Sequence, residues 1–294
     1  MPGIDIYQES LKKYFGKALD PIHIGAGGYR LGRVDSVIVR EPATDVPKIP
    51  GTSIAGVIRA FAEIVKEEDN KKTDNEKKFK DMKIEDIFGT ENKKGCLRFF
   101  DGQIIFFPVS SNQGKVWVTT KELLEYWLDD VKDANGGKVK IPDNIEDKVY
   151  GIKDISSNNP LNLGWLLLEI DNITNGKEVV LPSDLREFLK RIVIVPDKLF
   201  SHIVNDNLEV RTSVRIDPKT GTAAEGALFT YEAIPRGTIF GFEVVIDNRR
   251  CSNEDSTDNK TKIEELIKAT FPYLKLLGIG GLGTRGFGRI EFFE

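Results

Sequence analysis

The chain's 294 residues suit one large or two modest domains, and a composition of 40% hydrophobic and 30% charged residues reads as soluble and globular. No apolar run approaches the length of a membrane span, and no basic segment followed by an apolar one opens the sequence, so a cytoplasmic location with no membrane partner is expected. Two histidines, His23 and His202, and two cysteines without paired spacing, Cys96 and Cys251, argue against a zinc site or a disulfide framework and predict reduced thiols. The net charge of -4 excludes a uniformly basic surface, yet nucleic-acid binding needs only a local stripe of Lys and Arg.

In chain order, Tyr14 to Leu19 suits a strand, while Gln8 to Lys13 suits a helix equally well, and Pro21 ends either. A turn-rich loop, Pro21 to Gly28, precedes Arg30, Arg33, Asp35 and the apolar pair Val37 and Val39. A carboxylate among arginines beside a glycine loop is either a catalytic group or half of an ion pair with Arg33 or Arg40. Lys48 to Ser53 predicts a helix start, with the hydroxyls of Thr52 and Ser53 capping the first amides. Ile54, Val57, Ile58, Phe61 and Ile64 follow at helical spacing, and the helix N-terminus beside Lys48 forms an anion site.

The lysine- and acid-rich run Glu67 to Lys83 reads as a solvated helix extension or mobile loop. Leu97 to Ser111 and Val116 to Thr120, rich in aromatic and β-branched residues, read as sheet core, and Glu122 to Val131 as a helix. Asp130 to Asn159 is polar and suits an insertion; Leu161 to Ile170 returns to strand character, and Leu185 to Ile194 suits an amphipathic helix ending near Pro196. Alternation from Leu208 to Ile216, then Asp217-Pro218-Lys219-Thr220-Gly221, predicts a protruding hairpin bearing Arg211, Arg215 and Lys219, which would flank a nucleic-acid backbone. Gly241 to Asp247 suits a strand, Asn253 to Asn259 a polar loop, and Lys262 to Leu277 an amphipathic helix.

That last helix feeds the loop Gly278 to Arg289, where six glycines alternate with apolar and cationic residues, before a short strand from Arg289 to Phe293. Glycine amides at Gly280, Gly281, Gly283 and Gly286, with Arg285 and Arg289 for charge, suit a concave phosphate site; a flexible hairpin at a sheet edge is the plainer alternative. A nucleotide-triphosphate loop or a dinucleotide fingerprint would require a helix to follow, and a strand follows instead.

The combination of Pro21-Ile22-His23-Ile24-Gly25, Val34-Asp35, Ile49-Pro50-Gly51-Thr52-Ser53-Ile54-Ala55-Gly56-Val57-Ile58-Arg59 and the glycine tail resembles the RAMP superfamily of CRISPR proteins. Ile84 to Gly89 resembles a segment before a strand in the same family. Phe106-Phe107-Pro108-Val109-Ser110 followed by Trp117-Val118-Thr119 looks like the type III-B, or Cmr, backbone subunits. The resemblance implies an α+β fold with a ferredoxin-like, RRM-related palm. It implies a single domain over residues 1–294, with a charged insertion at 66–83, a polar insertion at 130–159 and a hairpin thumb at 204–229 that wedges between guide and target nucleotides. It also implies a repeating subunit that assembles as a helical filament with other Cmr-type subunits, binds guide RNA and cuts complementary target RNA at regular intervals.

By that resemblance Asp35 matches the family's essential aspartate, acting as a base or holding a divalent cation, Mg or Mn. His23, Lys48, Thr52, Ser53, Arg59, the three hairpin cations and the glycine loop would contact RNA, with His23 alternatively serving loop structure; Glu232 is read as structural. Ala55 departs from the family's usual Lys, leaving Lys48 or Arg59 to reach the guide phosphate. Three alternatives stay open: a type III-A backbone subunit, a guide-processing RAMP endonuclease, and a non-catalytic RNA-binding subunit.

Overall fold

The computed structural model describes the chain except residues 1–10, 28–33, 75, 129–131, 134–135, 138, 144, 147, 174–178, 182, 248–249, 251–255 and 294. Arg30, Arg33, Cys251 and residues 253–255 of the expected polar loop therefore lie outside the described residues, whereas Ser256 to Asn259, expected as loop, already belong to helix Ser256–Ala269. Two compact units emerge, one from Met1–Asp20, Ile49–Gln103 and Gly241–Glu294, the other from Pro21–Lys48 and Ile104–Phe240.

In the first unit, strand Leu11–Ala18 is followed by helix Gly51–Asn70, strands Leu97–Phe99 and Ile239–Ile246, helices Ser256–Ala269 and Phe271–Leu277, and strand Ile290–Phe293. The last strand pairs antiparallel with the first, Ala18 opposite Ile290, and the first neighbours Ile239–Ile246, which pairs antiparallel with Leu97–Phe99. Numbered along the unit, the strands are ordered 4-1-3-2. Helix Gly51–Asn70 buries Ile54, Ile58, Phe61 and Ala62, and Phe271 stacks on Phe292 at 4.3 Å, so an apolar helix layer covers one face of the strands.

The helix start differs from expectation. Neither Thr52 nor Ser53 caps it; the Gly51 amide instead donates to Asp101 Oδ1 at 2.7 Å. A Cβ on Gly51 would stand 2.6 Å from the Phe99 carbonyl oxygen, so glycine here admits the neighbouring chain that delivers this carboxylate. The acid-rich run begins as the expected helix extension, to Asn70, but is not simply solvated: buried Asp69 accepts the Phe79 amide at 2.8 Å, and Phe79 and Met82 are buried. The final helix is two helices, because Pro272 has no amide to continue the ladder from Thr270. Cys96 is buried and disulfide-bonded, correcting the expectation of a reduced thiol, since spacing along the chain carries no information about which sulfurs meet in space.

The second unit holds strands in the order Ile170–Asn172, Val149–Lys153, Ile192–Ile194, Gly114–Thr119 and Gly102–Ser111. Phe106, Phe107, Trp117, Val118 and Ile192 to Ile194 are buried, a double-sided core of the kind that β-branched and aromatic runs build. Ile192-Val193-Ile194 was expected at the end of a helix; the helix is confined to Ser183–Phe188, and the β-branched triplet is a strand. Leu161 to Ile170 has the expected strand character, folding back at Gly164 (φ +63°) into the hairpin Leu161–Leu163 and Leu166–Leu168. The long hairpin of Glu209–Ile216 and Ala223–Ala233 forms as its alternation predicts, with Thr212 opposite Thr230.

The glycine tail is a closed loop in the first unit. Gly278 and Gly288 touch backbone to backbone, the Ile279 amide donates to the Gly288 carbonyl at 2.9 Å, and Ile279 and Phe287 are buried while residues 280 to 286 stay largely exposed. At Gly278, φ is +78° and a Cβ would stand 2.5 Å from the Gly288 carbonyl carbon. Gly278→Ala is therefore expected to lose about 1–3 kcal/mol from backbone conformation, with the collision adding to it. A urea unfolding midpoint compared with wild type measures the loss.

Candidate functional site

The segments from Pro21 to Gly27 and from Val34 to Arg40 lie in the second unit against the returning strand of the long hairpin. Single bridges join Ile22 to Ile234, Gly25 to Ile38 and Ser36 to Tyr231. The amides of Asp35 and Ser36 both donate to the Thr230 carbonyl, at 3.0 and 3.1 Å, and the Glu232 amide returns a bond to the Ser36 carbonyl at 3.2 Å. This ladder fixes the backbone on both sides of Asp35.

Thr230 also holds the Asp35 side chain. Asp35 Oδ2 accepts from the Thr230 amide at 2.7 Å and from its hydroxyl at 2.8 Å. The Thr230 amide, followed by its hydroxyl, holds the Asp35 carboxyl below the ordinary carboxylate range, so it is ionised at neutral pH. Asp35 is exposed, and its Oδ1 accepts no hydrogen bond among the described residues. The arrangement is a fixed anion with one oxygen clasped and the other without a hydrogen bond among the described residues.

Beneath it lies a buried polar network. His23, 6% exposed, donates through Nδ1 to the Glu232 carbonyl at 2.7 Å, because a carbonyl oxygen can only accept. In the neutral ring Nε2 then faces the Ser36 hydroxyl at 3.4 Å. The buried Glu232 carboxylate takes Arg40 Nη2 at 2.6 Å, and Arg40 also donates to the Ile38 carbonyl and to Asn205. Arg40 is thus committed to Glu232 and makes no ion pair with Asp35; Arg33, the other suggested counterion, lies outside the described residues.

The remaining sequence-named residues are distributed over both units. His23, Lys48 and the hairpin cations belong with Asp35 to the second unit, while Thr52, Ser53, Arg59 and the glycine loop belong to the first. Lys48 binds Glu41 at 2.8 Å, Arg59 binds Glu63 and the Gly89 carbonyl, and Arg211 pairs with Glu209. Arg289, although exposed, grips Asp20 with two nitrogens. Arg215 and Lys219 on the hairpin and Arg285 in the glycine loop are exposed. Gly283 to Arg285 form a tight turn after Leu282, which takes a left-handed conformation, φ +63°, and Gly280, Gly281, Gly283 and Gly286 are all exposed around it.

No cluster of three or more His, Cys, Asp or Glu able to hold a metal occurs among the described residues. Sequence reasoning named Asp35 but not Thr230, which is 195 positions away, and no local pattern joins the two.

A family model described as the RAMP superfamily matches residues 16–291, and the chain belongs to that superfamily. Within it, the chain is 30% identical over 290 residues to the CRISPR system Cmr endoribonuclease Cmr4 of Pyrococcus furiosus, covering 93% of this chain and 92% of the relative. Among solved structures it matches a chain of a type III-B Cmr-beta complex bound to cognate target RNA, with TM-score 0.67, 17% identity and 96% coverage of both chains. Oligomeric Cmr4 from Pyrococcus furiosus also matches, with TM-score 0.62, 24% identity, and coverage of 96% of this chain and 99% of the other. At these identities the two structures establish the shared fold, a mixed α+β architecture with a large mixed sheet. The full-length relative makes the chain a Cas7-like backbone subunit of the Cmr type.

Removing the cation from a buried ion pair strands the carboxylate. Arg40→Met is expected to cost about 3–5 kcal/mol, read as a fall in the denaturant midpoint, while Arg215→Met at the exposed hairpin leaves that midpoint within error of wild type.

Proposed function

We propose that this chain is a repeating backbone subunit of a type III-B effector that binds guide RNA and cuts complementary target RNA, with Asp35 as its catalytic residue. The full-length relative is an endoribonuclease by name, and a similar chain occurs in a complex holding target RNA. The observation that carries the residue assignment is the ionised, exposed Asp35 carboxylate, whose Oδ1 accepts no hydrogen bond among the described residues.

Cleavage of an RNA strand by its own 2′-hydroxyl forms a bond from O2′ to phosphorus and breaks the bond from phosphorus to O5′, with a proton leaving O2′ and another reaching O5′. A carboxylate held below its usual pKa is a weak base, which favours electrostatic positioning over full proton abstraction. Asp35 Oδ1 would accept the 2′-hydroxyl proton as a hydrogen bond and orient O2′ for attack, while Thr230 prevents the carboxylate from rotating away. A divalent cation, Mg or Mn, fits here only if bound through Asp35 together with water and substrate phosphate oxygens, because the described residues supply no further cluster of ligands. Such an ion would neutralise charge on the phosphate.

The first unit is read as the ferredoxin-like, RRM-related palm. Its strand-helix-strand-strand-helix-strand sequence with order 4-1-3-2 supports this reading, and the long hairpin is the thumb. Guide RNA would lie on exposed loop amides and cations, Arg285, Arg215 and Lys219 first among them, because base pairing reads sequence and the protein needs only backbone contacts. We assign His23 to loop structure rather than RNA contact, since its ring is covered and both nitrogens face protein atoms. Self-association into a filament with other Cmr-type subunits follows from the same reading, supported by the likeness to oligomeric Cmr4, as does a cytoplasmic location; no described helix is long and apolar enough to cross a membrane.

Asp35→Asn, nearly isosteric and uncharged, is expected to slow single-turnover target cleavage by the assembled complex by about two to four orders of magnitude. Guide and target binding should stay at wild-type affinity, because those contacts are spread over many residues. An Asn variant that assembles normally and cuts at the wild-type rate would move the chemistry to another group. A guide-processing enzyme would instead cut a lone repeat RNA without any target.

A further inference from the structure

The second unit holds a group of cations that the Asp35 site does not use. Lys115 and Trp117 lie two residues apart on strand Gly114–Thr119, hence on one face of it. The Lys115 ammonium sits 4.4 Å from the Trp117 ring centroid and 5.6 Å from that of Phe188. Trp117 Nε1 donates to the Gly237 carbonyl at 3.0 Å, which ties the neighbouring Arg236 to this place. The Trp117 amide donates to the Arg191 carbonyl at 2.8 Å, and Arg191 Nη1 lies 3.6 Å from where a Cβ on Gly114 would stand.

Partial burial, and then the Arg236 charge, lower the pKa of Lys115, so the cations repel one another. Arg40, Arg59, Arg211 and Arg289 each hold a carboxylate. Lys115, Arg191 and Arg236 pair with none among the described residues, in a chain with 46 acidic side chains. Three like charges left together are unfavourable until an outside anion joins them.

We propose that Lys115, Arg191 and Arg236 form a phosphate-binding surface that contacts an RNA backbone, additional to the hairpin and glycine-loop contacts. Guanidinium forks take phosphate oxygens in pairs, and an ammonium held over an aromatic ring needs little ordering to join them. Trp117 is only 2% exposed, so the place offers charge with little apolar contact area, which suits a phosphate backbone better than a protein partner. The inference rests on RNA being the ligand, as in the function proposed above.

The test is the full chain carrying Lys115→Ala, Arg191→Ala and Arg236→Ala together, titrated with single-stranded RNA at several salt concentrations and compared with wild type. The slope of log affinity against log salt is expected to become shallower by about 2, at roughly 0.7 for each phosphate that is no longer neutralised. A charge-preserving variant, Lys115→Arg with Arg191→Lys and Arg236→Lys, should keep most of the slope. Melting temperature checks folding; if the triple variant fails to fold, the exposed single change Arg236→Ala should still flatten the slope by about 0.7. A folded triple variant with wild-type slope and affinity overturns the proposal. So does a variant whose RNA-free self-association changes while the slope holds, because the surface would then bind protein. Wild-type protein that binds no RNA at any salt would sink the proposed function and this surface together, whereas an unchanged slope in the variant alone sinks only the surface.

Discussion

The pairing of Asp35 with Thr230 is the constraint on which the rest of the site depends. One residue supplies an amide and a hydroxyl to a single carboxylate oxygen, and its carbonyl takes the amides of Asp35 and Ser36. Position, rotamer and ionisation of the carboxylate are therefore set by one residue of the hairpin's returning strand. The loop carrying Asp35 cannot shift relative to that strand without breaking several bonds at once. Under it, Arg40 and Glu232 form a buried pair whose separation would leave an unbalanced charge, and His23 ties the Glu232 backbone to Ser36. Conventional structural interactions thus hold an exposed anion in a fixed orientation on the second unit.

On the proposed function, a chain of net charge -4 would approach RNA through cations left uncommitted rather than through a uniformly basic surface. Many of its Lys and Arg residues are engaged within the protein: Lys48 with Glu41, Arg59 with Glu63, Arg289 with Asp20. Arg289 pins the end of the glycine loop to Asp20, just beyond strand Leu11–Ala18, so its structural work leaves Arg285 as that loop's uncommitted charge. The Asp101 carboxylate at the start of helix Gly51–Asn70 already takes one of the amides that an incoming phosphate would seek. On the proposed function, phosphate contacts would therefore fall more heavily on loop amides and on cations without a carboxylate.

Much of the architecture was legible in the sequence where local chemistry decides it. The long hairpin follows from alternation ending in Asp-Pro-Lys-Thr-Gly, and the terminal loop from its glycines and the strand behind them. Ile192 to Ile194 was misread because a short β-branched run satisfies helix and strand templates alike until its neighbours are known. The cap on helix Gly51–Asn70 was misassigned because a hydroxyl at the right spacing competes with any carboxylate the fold brings near, and Asp101 is 50 residues on. Asp35 was singled out through family resemblance, whereas its clasp by Thr230 and the commitment of Arg40 to Glu232 join positions nearly 200 residues apart and have no local signature. The carboxylate could be named from the sequence, but the geometry that holds it could not.

The most direct test of this account is single-turnover target cleavage by assembled complexes carrying Thr230→Val or Thr230→Ser. Valine keeps the shape and the backbone bonds but removes the hydroxyl from Asp35, and serine restores it. The account predicts that Val lowers the cleavage rate at saturating target while leaving target affinity and melting temperature unchanged, and that Ser recovers most of the rate. A Val complex that cuts as fast as wild type would show that Asp35 does not depend on this clasp, and the central claim would fail.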